Sequence, residues 1–201
     1  MRLDNSISNP AAWHRRLCEV TDWLFLSGDL DTFRPEIGVR QLNEWVNAGI
    51  TDIIDVRGEY DDIDFVKMHA PHINYHYFGT HDNGGSQSDS WFELGVNVIS
   101  DVVERDGKAV VHCHMGVNRA PSMAYRLLLE AGHGHIESLE MIRSSRPIAG
   151  IIYAPSALSH YLRINDVSAN ELLIKLQEVE QWFDENPVDL GWIISRIRRS
   201  E

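Results

Sequence analysis

The chain has 201 residues, 43% apolar and 24% charged, which is the composition of a soluble globular protein with one medium domain, or one domain and an appendage. Its formal net charge of −12 argues against duplex nucleic acid and anionic membranes as partners, because both call for a basic face. Two cysteines, Cys18 and Cys113, make no disulfide framework and suit a reducing, cytoplasmic compartment; the leading segment MRLDNSISNPAAWHRRL has no apolar leader core, and no run of about 18 apolar residues could span a bilayer.

Taken in chain order, Trp23 to Ser27 predicts a short buried strand closed by Gly28. Leu42, Trp45 and Val46 recur at helical spacing, and Gly49 ends that helix. Ile50 to Val56 is a second strand rich in β-branched residues, and Ile73 to Thr80 alternates as a third. Trp91, Leu94, Val98 and Val102 mark a helix that Asp106-Gly107 stops. AVVH then forms an apolar strand running straight into Cys113, and Pro121 fits the first turn of a helix reaching Leu129. IESLEMIRSSRP and PSALSHYLRI predict two more helices. Strands alternating with helices give an α/β fold, with a central, mostly parallel sheet flanked by helices.

The tail differs. Ser168 and Glu171 form a capping-box pair, and Leu172, Leu173, Leu176, Val179, Trp182 and Phe183 make an apolar stripe broken by Asn186-Pro187. Leu190, Ile193, Ile194 and Ile197 make a second stripe. The two helices are expected to pack on the main domain, with a homodimer or partner surface as the alternative.

The stretch from Cys113 to Arg119 carries the chemistry. A turn between a buried strand and a helix N-terminus points unpaired N–H groups inward and adds the positive end of the helix dipole. Such a loop cradles a tetrahedral dianion. Gly116 allows close backbone approach, and Arg119 offers a planar fork for two phosphate oxygens. Free cysteine titrates near pH 8.5, and this setting is expected to make Cys113 a thiolate at neutral pH. A thiolate facing phosphorus is a nucleophile for phosphoryl transfer that needs no metal or other cofactor.

HCHMGVNR, residues 112–119, resembles the His-Cys-x5-Arg signature of the cysteine-dependent protein phosphatases, in the form most similar to the dual-specificity branch. DWLFLSGDL, AGITDIIDV and RPIAGIIYAPSALSHYL are similar to flanking segments of that branch, so the likeness runs over residues 20 to 163. The resemblance implies a catalytic domain over 1–165 and a two-helix extension over 166–201. It implies Cys113 as nucleophile and Arg119 as phosphate binder. The loop N–H groups of His114, Met115, Gly116, Val117, Asn118 and Arg119 would line the cup. His112 would sit behind the loop, bonded to backbone and helping to set the Cys113 pKa.

A general acid on a mobile loop is also implied. Asp82 lies 31 positions before Cys113 and Asp89 lies 24 before it. Asp82, beside Asn83-Gly84-Gly85, is favoured; Asp89 is assigned to a helix cap, and His81 is a weaker candidate. The serine or threonine that often follows the arginine is here Ala120, as in plant glucan phosphatases. No lysine stands in the loop, which argues against a phosphoinositide substrate. The expected substrate is a phosphorylated protein; glucan, nucleotide or lipid phosphates and a phosphate-binding module with weak turnover remain alternatives. A rhodanese-type sulfurtransferase is a further rival. A metal centre finds no second ligand pair at zinc-like spacing. Cys18 is read as a buried residue, with a protective pairing to oxidised Cys113 as the other option.

Overall fold

The computed structural model describes residues 7–201, so the first six residues of the leading segment lie outside it. A 3-10 turn, Pro10–Trp13, precedes the two-residue strand β1 (Cys18–Glu19) and β2 (Leu24–Ser27). Then come α1 (Pro35–Asn47), β3 (Asp52–Arg57), α2 (Ile63–His69), β4 (Asn74–Thr80), α3 (Asp89–Glu104), β5 (Ala109–His112) and α4 (Arg119–Glu130). Four more helices close the chain: α5 (His135–Ser145), α6 (Ala154–Ile164), α7 (Ala169–Glu185) and α8 (Leu190–Arg198).

The five strands form one sheet in the order β1-β2-β5-β3-β4, with only β1 antiparallel. Strand β5 lies in the middle, and its AVVH run is buried along its whole length because helices cover both faces. Period-2 alternation sorts the strand residues. Phe25, Ile53 and Val110 face α1 and α2 with Trp45, Leu42 and Val66, whereas Leu24, Leu26, Ile54 and Val111 face the larger cluster built on α3, α4, α5 and α6. Strands β2, β3, β4 and β5 are mutually parallel through β5 and β3, so the loops after them converge at one sheet edge, where sites in such folds are built.

Local signals explain the boundaries. Gly49, at φ +85°, takes the left-handed turn after α1. Ser88 accepts a hydrogen bond from the Trp91 N–H at 3.3 Å and is therefore the cap of α3. Asp89 is not that cap: it is the first helical residue, and its carboxylate pairs with Arg163 at 2.7 Å. Ser168 caps α7 through the Glu171 N–H at 3.2 Å.

Helix α7 lays Val179 and Trp182 into the core shared with α5 and α6, and Arg143 lies 5.1 Å from the Trp182 ring. Helix α8 places Ile193 and Ile197 against Ile148 and against Val117, a residue of the Cys113–Arg119 loop. The last helix therefore supports the loop from the side. Trp182→Ala is expected to cost about 3–5 kcal/mol in urea unfolding, as for other buried tryptophans. A loss below about 1 kcal/mol would mean that α7 is not part of the cooperative core.

Candidate active site

Strand β5 delivers Cys113 to the sheet edge, and α4 starts at Arg119. The six residues from Cys113 to Asn118 form the turn between them. Cys113, Val117, Asn118 and Arg119 are buried, whereas His114 and Met115 reach the rim. The N–H groups of Gly116 and Ala120 act on Cys113 by pulling its thiol pKa down. Gly116 sits at φ +63°, and a Cβ there would run into the Arg146 guanidinium and lie 2.6 Å from the Ser27 carbonyl, so only glycine fits.

If the N–H groups face the cup, the carbonyls must face backward, and Arg146 receives them. Its Nε donates to the Gly116 carbonyl (2.6 Å) and its Nη2 to those of Met115 (3.0 Å) and His14 (2.9 Å). Its Nη1 donates to the Arg16 carbonyl (3.1 Å) and meets the Cys18 sulfur at 3.4 Å. The β2–α1 loop adds a second clamp. The Asp29 N–H donates to the His114 carbonyl at 2.9 Å, and the Asp29 carboxylate accepts from His114 Nδ1 at 2.8 Å. Burial alone would raise the Asp29 pKa; hydrogen bonds from His114 and His14 and the charge of Arg15 hold it far below the usual carboxylate range.

Arg119 has two edges. Its outer Nη1/Nη2 fork is held by Glu59 at 2.8 and 2.9 Å, and Nη1 also donates to the Thr80 carbonyl at 2.9 Å. Its Nε is buried and has no acceptor in hydrogen-bond geometry; the nearest carboxylate oxygen is Asp82 Oδ2 at 3.7 Å. The fork expected to take phosphate is here paired with a carboxylate from the β3–α2 loop, and the Nε edge lies on the Asp82 side.

Asp82 joins the same group. Asn118 Nδ2 and the Tyr153 hydroxyl both donate to its Oδ1 at 2.7 Å, which leaves Oδ2 on the Arg119 side. Asp89 stays with Arg163 at the α3 terminus, outside this network. His112 departs from expectation: neither ring nitrogen makes a hydrogen bond to the loop backbone. Alternation turns it to the Val110 face, with its ring 5.6 Å from that of Trp45 and its Nε2 3.7 Å from Asp55. Cys18 cannot bridge to Cys113. It pairs with Leu26, which pairs with Val111, so two strand spacings, about 9.6 Å, separate it from Val111 alone, and Cys113 lies two residues further on, beyond the reach of a disulfide without backbone movement.

The groups around Cys113 act on its thiol in both directions. Burial pushes the thiol up, the Arg119 charge and the Ala120 and Gly116 N–H groups pull it down, and Asp82 pushes it up again; the net shift is upward. Glu59 neutralises Arg119 from the far side, and its own pKa is lowered by that pairing against the opposing effect of burial.

Two sets of His, Asp and Glu side chains approach within metal-ligand reach among the described residues: His14, His114 and Glu201, and the buried Asp55, Asp62 and His112. The second set already holds a cation, because Arg57 lies 3.2 Å from Asp55 and 2.9 Å from Asp62. The roles of Glu59, Arg146, Tyr153 and Asp29 left no pattern in the sequence beyond their residue types.

Comparison with known proteins identifies the family and the fold. The dual specificity phosphatase catalytic domain family matches residues 39–152, more than half of the chain, and the chain belongs to that family. A probable rhodanese domain-containing dual specificity protein phosphatase of Dictyostelium discoideum is 26% identical over 57% of this chain and 21% of its own length. The chain spans about a fifth of the length of the curated relatives it matches. Two solved structures share the fold. A mouse putative dual specificity phosphatase complexed with zinc tungstate has 18% identity, 75% and 89% coverage of the two chains and a TM-score of 0.59. A human tyrosine phosphatase-like serine/threonine/tyrosine-interacting protein has 17% identity, 84% and 98% coverage and a TM-score of 0.54.

Asp82→Asn removes one of the charges that hold the Cys113 thiol up. Alkylation of Cys113 by iodoacetamide at fixed neutral pH is therefore expected to be faster in this variant than in the wild type. An unchanged rate would mean that the Asp82 carboxylate does not act on the sulfur.

Proposed function

We propose that the chain hydrolyses phosphomonoesters, phosphotyrosine or phosphoserine and phosphothreonine in proteins, through a cysteinyl-phosphate intermediate. The observation that carries this function is the buried Arg119 Nε, without a protein acceptor, set between the Cys113 loop and Asp82 Oδ2. A phosphate oxygen is the acceptor that would satisfy it, with the loop N–H groups holding the others.

Opening of the Asp82 segment would admit water, remove the repelling carboxylate and let the thiol ionise; its proton passes through water to the Asp82 carboxylate, which returns over the bound phosphate as the acid. The thiolate then attacks phosphorus. The S–P bond forms as the ester P–O bond breaks, and protonated Asp82 gives its Oδ2 proton to the departing oxygen. In the second step water attacks phosphorus, Asp82 takes a proton from it, and the thiolate leaves. Arg119 Nε and the N–H groups neutralise the equatorial oxygens in both steps. Asn118 and Tyr153 act on Asp82 alone, by fixing Oδ1 so that Oδ2 does the proton work.

A phosphate-binding module with weak turnover is the second reading. It is favoured by Ala120, which is buried and gives the sulfur only its N–H, with no hydroxyl to stabilise the leaving thiolate. A cytoplasmic location is proposed on the two free cysteines, and a homodimer on Leu173 and Ile174, which remain exposed on α7.

Phenyl phosphate, whose leaving group needs a proton, tests the mechanism. Turnover should vanish in Cys113→Ser. Asp82→Asn should lower kcat by about 10²–10³-fold while KM changes little. Phosphate binding without any wild-type turnover would select the binding module instead.

A further inference from the structure

His14 and His114 meet beside the cup, and the Glu201 carboxylate rests on them. Glu201 Oε1 is 3.1 Å from His114 Nε2 and 3.8 Å from His14 Nε2. His114 follows Cys113 directly, and its side chain is 29% exposed at the rim, whereas that of His14 is 5% exposed. The two rings meet edge to face at 5.9 Å.

On distance alone this trio could ligate a divalent cation, since its donor atoms lie within 4.8 Å of one another. Proton placement argues otherwise. A ligating nitrogen must present a lone pair. His14 Nε2 faces the His114 carbonyl at 3.1 Å and Asp29 Oδ1 at 3.4 Å, so it carries a proton and donates. His114 Nδ1 meets the Asp29 carboxylate at 2.8 Å and its Nε2 lies 3.1 Å from Glu201, so each ring nitrogen has a carboxylate beside it, a setting that favours the imidazolium. A ring protonated between carboxylates, beside a second ring whose proton is already given to the His114 carbonyl, offers no lone pair to a cation and positive charge to an anion.

Asp29 does not cancel that charge. It also takes Arg15 at 3.1 Å and lies 3.5 Å from Arg57, cations that it shares with Asp31 and with Asp55 and Asp62, so its charge is spread over several partners. The groups that face His114 are Asp29 from the β2–α1 loop, Glu59 from the β3–α2 loop, Glu201 from the segment after α8, and His14 from the segment after the 3-10 turn. Hydrogen bonding to Asp29 raises the His114 pKa above its ordinary value, against burial, and Glu201 and Glu59 add to the rise.

We infer that His14 and His114 form a second anion subsite, which takes an acidic side chain next to the phosphorylated residue of a peptide substrate. The inference rests on the proposed phosphatase activity and adds its substrate preference. The occupant seen here is itself a glutamate of a polypeptide, which makes a substrate aspartate or glutamate its direct replacement. A chain of net charge −12 repels acidic peptides at long range, so a local cationic seat is what acceptance of such a substrate requires.

The test compares phosphotyrosine peptides flanked by Asp and Glu with the same peptides carrying Asn and Gln. Wild-type kcat/KM should favour the acidic peptide about fivefold at pH 6.5, the size of a partly exposed ion pair. That ratio should fall toward one as pH rises through the His114 titration, and in His14→Gln and His114→Gln. Glu201→Gln, which removes the competing carboxylate, should raise it. Binding of both peptides to Cys113→Ser, by calorimetry, reads the same preference without turnover, while phenyl phosphate hydrolysis reads the phosphatase proposal separately. Equal affinity for the two peptides would overturn the subsite. So would zinc binding by the wild type that His14→Gln abolishes, with the peptide ratio unmoved in that variant.

Discussion

Arg146 fixes the direction in which the loop carbonyls point. It is a guanidinium with no surface exposure and no carboxylate among its partners, and its acceptors are the carbonyls of Gly116, Met115, His14 and Arg16. Burying such a charge is costly, and burial pulls its pKa down. The arrangement persists because each backward-facing carbonyl would otherwise be an orphan in the interior. The same contacts tie the segment before β1 to the loop, so the cup and the N-terminal part of the described chain hold their shape together. Lysine could not replace it, having one nitrogen where the fork has three.

In front of the loop the electrostatics oppose each other. The cup must be electropositive for phosphate, yet Glu59 and Asp82 both approach Arg119. Their effects differ because they sit on different edges. Glu59 holds the outer fork in a paired geometry, which aims Nε inward and removes the rotamer freedom that Arg119 would otherwise lose on binding. Asp82 faces the cup itself and raises the thiol. In the proposed mechanism, movement of the segment that carries Asp82, with Gly84 at φ +70°, would switch the sulfur between a protected thiol and a reactive thiolate.

The strands, most helices and the loop were legible in sequence because their signals are local. β-branched runs gave β3 and β5, helical spacing gave α1 and α3, and Cys113, Gly116 and Arg119 stand within one turn. Strand β1 and helix α2 were missed, being two and seven residues long, too short for a period to register. Glu59 reaches Arg119 across 60 residues, and Arg146 reaches Gly116 across 30, and nothing near either residue marks the pairing. Asp89 and Ser88 are adjacent candidates for one cap, and the hydroxyl took it while the acid paired with Arg163. His112 was misread for another reason: strand alternation sends it to the α1 side, whereas the loop it was meant to support bends toward α4.

The segment from Ile148 to Tyr153 joins these parts. The Gly150 N–H donates to the Val117 carbonyl at 2.6 Å, the Ile152 N–H to Asn118 Oδ1 at 2.7 Å, and the Tyr153 hydroxyl to Asp82 at 2.7 Å. Ile151 between them is held at φ +55°, a left-handed conformation that a β-branched residue adopts only at a cost of about 1–3 kcal/mol. That backbone sets the three donors on the Val117 carbonyl, the Asn118 amide and Asp82 at once. Leu190, at the start of α8, would lie 2.9 Å from a Cβ at position 150, so the last helix presses on this segment as well as on Val117. Strain at Ile151 is thus offset by packing from the C-terminal helix, and Asp82, the Asn118 amide that holds it and the Cys113–Arg119 loop are joined through one short run of backbone.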